Sequence, residues 1–324
     1  MRLFRLISAN PAGNVLIAFL LLQAVAIVAS LLFYDQFRYV SPINIGLLLK
    51  SMAVIGVMAL GVGILMVAGE FDLSVGSAMT FVAIVMATLV QDGWNVWVVM
   101  MLALVMGAVI GMANGYISLT FGIPSFITTL GGLLFFRGAV LIYHGPQQLR
   151  FEPTPLFRSV FAGDFLVLGV KVSMLFVWFI VLAIVLGLIL HRHRLGNHLY
   201  AVGGGEGAAH AIGVNVFRTK MIAFVISGVC AAFAGVLSTT RVLSVQPGQG
   251  AGMELQAIAA CVIGGFALKG GKGAMLGAVL GAAFIYTLSD ILILLRFPGY
   301  YLDTFIGIFL VAAVILNQKL VREA

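Results

Sequence analysis

Residues 43–68, INIGLLLKSMAVIGVMALGVGILMVA, followed at once by Gly69-Glu70-Phe71-Asp72, decide the fold. A single charge, Lys50, interrupts an apolar run longer than the ~20 residues a helix needs to cross a bilayer. Lipid offers no partner to an exposed N–H or C=O, so a spanning segment must be a helix or part of a closed barrel. Barrel strands alternate apolar and polar residues over about ten positions, and this run does not alternate. It reads as a membrane helix ended by a polar, glycine-containing break.

The same pattern recurs along the chain. Ten apolar segments are expected, at 14–33, 43–68, 73–90, 95–119, 123–142, 167–190, 217–239, 253–268, 274–295 and 304–318. The breaks between them are polar or carry Gly and Pro, as at Tyr34-Asp35-Gln36, Gln91-Asp92-Gly93 and Arg296-Phe297-Pro298-Gly299. Pro124 reads as the start of the fifth helix. Composition agrees: 62% of the 324 residues are hydrophobic and 9% charged, with a mean hydropathy of +1.16. A soluble domain carries roughly a quarter charged residues. The chain is therefore read as one all-α, polytopic membrane domain over residues 1–324, with the first run a span and not a cleaved leader.

The net charge of +7 does not point to nucleic acid, because the 18 Lys and Arg are scattered between apolar runs. With ten spans, Arg2, Arg5, Arg192, Arg194, Arg218, Lys220, Lys269, Lys272, Lys319 and Arg322 fall on one side. The other side receives Arg38, Arg150, Arg158, Lys171, Arg241 and Arg296. That bias places both termini in the cytoplasm. Cys230 and Cys261 lie inside apolar runs and read as small packing residues, not as a disulfide.

Glycine is placed in order. Gly107, Gly111 and Gly115 recur every fourth residue on the fourth segment, and Gly273, Gly277 and Gly281 do so on the ninth. Such stripes let a neighbouring helix approach closely, here within one subunit. Gly56, Ala59 and Gly63 of segment two are echoed by Gly228, Ala231 and Gly235 of segment seven. Segments 2–5 and 7–10 thus read as an inverted repeat, a plan that places a solute pathway between the two units.

Little suggests chemistry. Gly265 to Gly273 (GFALKGGKG) imitates a phosphate-binding loop but misses its spacing, with Gly273 where a Ser or Thr would hold magnesium. His191, His193, His198 and His210 sit beside Arg192 and Arg194, a basic membrane-edge cluster and not a metal site. No residues are placed as a nucleophile–base pair, so catalytic and metal sites are both read as none. A gradient-driven carrier keeps ionisable groups at mid-membrane. Lys50, Arg137, Glu254 and Asp290 are few and near segment ends, which favours an external energy source.

The region 191–216 is the most informative cytoplasmic feature, a long loop rich in small residues and suited to docking. Gly203-Gly204-Gly205 leads into Glu206, Ala208, Ala209 and then Gly213, a short surface helix entered and left through glycines, with Glu206 in its first turn. At this loop the chain resembles the permease subunits of bacterial ATP-binding-cassette importers of the ribose, xylose and galactose type. Other residues carry the likeness too: Ala68 to Gly76, Ala113-Asn114-Gly115, Ile123 to Gly131, Phe136-Arg137-Gly138, Ile258 to Gly265 and Leu268 to Gly271.

The resemblance implies two permease subunits, identical or paralogous, a separate ATPase that binds ATP and magnesium, and a periplasmic solute-binding protein. This chain would then be no enzyme and hold no cofactor. Gly203, Gly204, Gly205, Glu206, Ala208, Ala209 and Gly213 would couple to the ATPase, and the solute would be a monosaccharide or related polyol entering across the bacterial inner membrane. The family's loop often has Asn where this chain has Gly205 and Arg where it has His210, which leaves the polar contacts of that loop open. Candidate pathway residues are Asp72, Ser74, Asn114, Thr128 and Thr129, with Asp72 equally able to cap the third segment. A permease for amino acids or nucleosides would share this architecture. A gradient-driven carrier would work alone.

Overall fold

The computed structural model describes residues 11–298, 301, 304–308 and 311. Its helices are α1 (Pro11–Leu32), α2 (Pro42–Val67), α3 (Val75–Gln91), α4 (Val96–Phe121), α5 (Ser125–His144), α6 (Pro155–Ala162), α7 (Met174–Arg192), α8 (Arg194–Gly204), α9 (Glu206–Ala211), α10 (Val216–Val242), α11 (Met253–Ile263) and α12 (Met275–Leu294). Among the described residues there are also four short strands: β1 (Leu149–Arg150), β2 (Asp164–Val167), β3 (Val170–Ser173) and β4 (Ser244–Val245). β1 pairs antiparallel with β4, and β2 with β3.

Helix starts follow local chemistry. Ser41, Asn95 and Asn215 each accept a backbone N–H from the first turn of α2, α4 and α10. Pro42 occupies the first turn of α2, and Pro124 sits just ahead of α5 as the sequence suggests.

Among the described residues six helices are long and apolar enough to cross a membrane: α2, α4, α5, α7, α10 and α12. Shorter apolar helices are Leu16–Leu32 within α1, α3 and α11. The expected tenth segment, 304–318, lies outside the described residues except for helical 304–308 and 311. Two expectations need correction. The segment 167–190 opens as a β-hairpin: Leu168 and Gly169 both take positive φ (49° and 83°), the turn that lets two short strands pair. The segment 253–268 is helical only to Ile263, where Gly264 and Gly265 end it. Eleven residues give about 16 Å, well short of the ~30 Å hydrocarbon layer.

α10 is the hub, packed against α4, α2 and α3, while α12 packs on α2 and α11. Small residues set these approaches. A Cβ on Gly107 or Gly228 would overlap the other's carbonyl, and Gly111 faces the Phe224 carbonyl in the same way. The stripe on α4 therefore serves contact within the chain. Gly277 and Gly281 of α12 likewise abut Gly264 and Ala260 at the end of α11. Cys230 and Cys261 are free and buried, with Cys261 Sγ 3.1 Å from the Ala59 carbonyl. The order of a long helix, a break and a shorter helix occurs twice, as α2–α3 and α10–α11.

Two faces result. One carries β1–β4, α6, the β2–β3 hairpin and the start of α2, where a Cβ on Gly46 would stand 2.6 Å from the Lys171 carbonyl. The other carries α8, α9, the end of α2 and the start of α10. α1 ends at the hairpin face, where Ser30 Oγ accepts from Val40 N (3.2 Å). Midway along it, Gln23 Nε2 donates to Thr287 Oγ1 of α12 (2.9 Å).

Helix contacts this tight leave no room for added volume. Gly228→Val is expected to destabilise the purified protein by about 1–3 kcal/mol or more, read as an earlier thermal unfolding in detergent. Gly131→Ala on α5, where nothing lies within 4 Å of the added Cβ, should leave unfolding unchanged. Equal effects would show that the α4–α10 approach is not tight.

Candidate functional site

The break after α2 is the focus of the loop face. Phe71 N donates to Ser125 Oγ (3.0 Å) and Leu73 N to Thr129 Oγ1 (3.0 Å), so the first two turns of α5 hold the break's backbone. Asp72 is buried. One carboxylate oxygen accepts from Ser74 N (2.9 Å) and Ser74 Oγ (2.6 Å), the other from Ser227 Oγ of α10 (3.3 Å). Asn114 Nδ2 of α4 donates to Ser74 Oγ (2.8 Å). A carboxylate so deep would be costly without partners. Here it ties the break to α4 and α10.

Of the five candidate pathway residues, Asp72, Ser74 and Asn114 form this one chain of hydrogen bonds. Thr129 braces the adjoining backbone. The Thr128 hydroxyl is shielded from solvent, with no hydrogen-bond partner among the described residues. Asp72 bonds the residue just before α3, which joins its structural role to the network and leaves no open carboxylate.

One residue links that break to the loop. Lys220, in the first turns of α10 and 5% exposed, pairs with Glu70 and with Glu206 Oε1, the latter at 2.6 Å. The Glu70 side chain is 12% exposed and that of Glu206 61%. Two acids on one ammonium neutralise a charge that could not remain unpaired at that depth. Glu206 opens α9, as the sequence suggests, but its partner is Lys220.

The loop is two helices. α8 is anchored by Tyr200 Oη donating to the Gly273 carbonyl (2.6 Å), and burial pushes that phenol above its ordinary range. Gly205 separates α8 from α9. Ala209 is buried against Val202 and Val214, so it braces the loop from within. Gly207, Ala208, His210, Ala211 and Ile212 point outward, Ile212 with 74% of its surface exposed. Gly204 and Gly213 are exposed too, whereas Gly203 touches the end of α2.

Gly203 belongs to a crossing of three backbone segments. Gly271 N donates to the Val67 carbonyl (2.9 Å), and a Cβ on Gly203 would overlap both groups. Gly270 and Gly271 take positive φ (84° and 72°), and a Cβ on either would stand 2.7 Å from Gly69 Cα or 2.9 Å from Gly204 Cα. The phosphate-loop imitation is thus explained, because these glycines exist for close backbone passage. Among the described residues no group of three or more His, Cys, Asp or Glu could hold a metal.

Sequence reasoning missed Lys220, Glu70, Ser227 and the Gly270-Gly271 pair as parts of this module. A usable signal was present: Lys220 stands at the edge of a long apolar run with no acid on its own helix turn.

Comparison with known proteins agrees with a membrane transport role. The family described as "Branched-chain amino acid transport system / permease component" matches residues 44–314. The autoinducer 2 import system permease protein of Enterobacter sp. (strain 638) is 36% identical over 286 residues, 88% of this chain and 82% of that protein. Its counterpart in Salmonella choleraesuis (strain SC-B67) is 31% identical over 284 residues, 87% of this chain and 80% of that protein. That of Escherichia coli (strain K12 / DH10B) is 31% identical over 295 residues, 89% and 82% respectively. No solved structure matches the chain.

The ion cluster makes a graded prediction. Lys220→Met strands the largely enclosed Glu70 and is expected to cost about 3–5 kcal/mol. Glu206→Gln, at an exposed side chain, should cost least, with Glu70→Gln between. Thermal unfolding in detergent ranks them. An unchanged Lys220→Met protein would contradict the pairing.

Proposed function

Because the chain belongs to the permease family of ATP-binding-cassette importers, we propose that it moves a monosaccharide or related polyol into the cell. The observation that carries this reading is the bracing of α8–α9. Lys220 and the Gly203–Gly270–Gly271 crossing fix the loop to the break before α3, while α9 turns Ala208, His210 and Ile212 outward. A rigid, outward-facing projection tied to the bundle interior suits a partner that pushes on it. The partner is a separate ATPase, which binds ATP and magnesium; this chain contributes no catalytic residue and needs no cofactor.

The loop face collects Arg192, Arg194, Arg218, Lys269 and Lys272, which supports its being cytoplasmic. α1 ends at the hairpin face, which supports a cytoplasmic position for its start. At the opposite face an open cavity of about 790 Å³ is lined by Arg150, Glu152, Arg158 and Asp164 among others. Mixed charge of this kind suits reversible docking of a periplasmic solute-binding protein.

α5 lies at the edge of the bundle, and Arg137 is exposed on it about 18 Å along the helix from Ser125. A cation that deep is costly against lipid. Helical side chains lean toward the helix N-terminus, so this one leans away from the nearer end of α5. The face therefore supports a second permease, identical or paralogous, paired along α5.

The three relatives named above are permeases for autoinducer 2, which favours a small polar solute, whereas the family's description names branched-chain amino acids. Uptake by the purified complex in vesicles separates these readings, and a gradient-driven carrier too. The importer predicts that an ATPase co-purifies, that uptake of D-ribose or autoinducer 2 needs ATP, and that an uncoupler has no effect. Ile212→Asp should leave the protein in the membrane yet lose both ATPase and uptake. Ala209 is unsuitable for this test, being packed inside the loop. Uptake without ATP, or a fully coupled Ile212→Asp complex, would overturn the proposal.

A further inference from the structure

Arg192, Arg194 and Lys272 stand where α7 ends, α8 begins and α12 is about to start, and neither the ion cluster nor the hydrogen-bond chain uses them. We propose that these three cations hold the headgroup of an anionic phospholipid, whose acyl chains lie along the exposed side of α7.

The apolar half of the seat belongs to α7. Its 19 residues span about 28 Å, close to the ~30 Å hydrocarbon layer, so Arg192 stands at the edge of that layer. Val181, Ile184, Val185 and Leu188 are exposed, and their helical spacing gathers them on one side. Arg192 follows Val185 by seven residues and Leu188 by four, so it ends the same stripe. α12 comes alongside at Gly187, where an added Cβ would stand 3.6 Å from Met275 Cβ, and the next residue, Leu276, is exposed. α7 packs on α2 and α12, whereas α5 packs on α3 and α4. Pairing of two permeases along α5 therefore leaves this stripe to acyl chains.

Two hydrogen bonds draw the polar half together. Tyr200 Oη of α8 donates to the Gly273 carbonyl (2.6 Å), and Met275 N donates to His191 Nε2 (3.4 Å). The end of α7, α8 and the approach to α12 thus meet, with Lys272 one residue ahead of Gly273. The side chains of Arg192, Arg194 and Lys272 are exposed.

Nothing in the chain answers their charge. The stretches 180–205 and 255–289 contain no Asp or Glu. Among the described residues none of the three cations joins an ion pair, and Lys220 takes both Glu70 and Glu206. Cations at a membrane edge attract anionic lipid. Arg192 brings a planar fork that suits two phosphate oxygens, and Lys272 brings a point charge. A zwitterionic lipid would carry its own cation into the cluster, which selects against it. The stripe below the charges commits the seat to a lipid and not to a soluble acidic partner.

Native mass spectrometry of the purified full chain in mild detergent reads the site. The chain is titrated with dioleoyl phosphatidylglycerol and, separately, with dioleoyl phosphatidylcholine. One phosphatidylglycerol should bind at least about tenfold more tightly than phosphatidylcholine. Arg192→Gln with Lys272→Gln should weaken it about thirtyfold, roughly fivefold for each cation lost. Arg38→Gln with Lys171→Gln removes as much charge from exposed positions at the hairpin face and should change nothing. Arg192→Lys with Lys272→Arg keeps the charges and should keep most of the affinity. Equal affinity for the two lipids overturns the site, as does unchanged binding in the first variant. Loss in the hairpin-face variant or in the charge-keeping one to the same extent would do so too. Displacement of the lipid by an equal concentration of inorganic phosphate would show a phosphate site with no lipid seat, and would also overturn it.

Discussion

The paired burial of Lys220 by Glu70 and Glu206 is the constraint on which the loop face depends. Its three members come from the break after α2, the start of α9 and the first turns of α10, which no short-range preference would bring together. An ammonium at 5% exposure is tolerable only with its counter-charges in place. Once those are fixed, the loop cannot drift from the break, and Asp72, two residues beyond Glu70, is held against Ser227 on the same helix that carries Lys220. Ion cluster and hydrogen-bond chain act on α10 about two turns apart.

Glycine supplies the other half of the arrangement. In lipid there is little hydrophobic gain in bringing two helices together, so contact relies on close packing. Gly107 against Gly228 lets α4 lie directly on α10, and Gly277 and Gly281 do the same for α12 and the end of α11. Where backbone is irregular it is either bonded, as at 71–74 and 246–252, or crossed through glycine, as at Gly203, Gly270 and Gly271. Non-helical backbone at this depth is tolerated only when enclosed by protein in this way.

The elements legible in the sequence are those with local causes. Apolar length marks α2, α4, α10 and α12, and Pro124 marks a helix start because its effect acts within a few residues. The apolar run from 167 takes in the second half of the hairpin, since Val167, Val170 and Val172 suit a strand as well as a span. The apolar run 253–268 outlasts α11 because the apolar residues after Gly264 and Gly265 hide the two glycines that stop the helix. The long-range contacts were not legible. Ser227 lies 155 positions from Asp72, and nothing near either one announces the other. Ala209 looked like a docking residue by its place in the loop, yet folding turns it inward. Arg137 looked like a residue near a span edge, yet α5 continues for seven residues beyond it.

In the proposed mechanism the ATPase acts on α9 and the bundle responds through Lys220. Exchanging the charges tests this most directly, by comparing ATP-dependent uptake in vesicles for Lys220→Glu alone and for Lys220→Glu with Glu206→Lys. The single variant gathers three acids and should lose uptake, while the exchange restores one cation to two acids and should recover a large part of it. Normal uptake by the single variant, or an exchange no better than the single variant, would contradict the account.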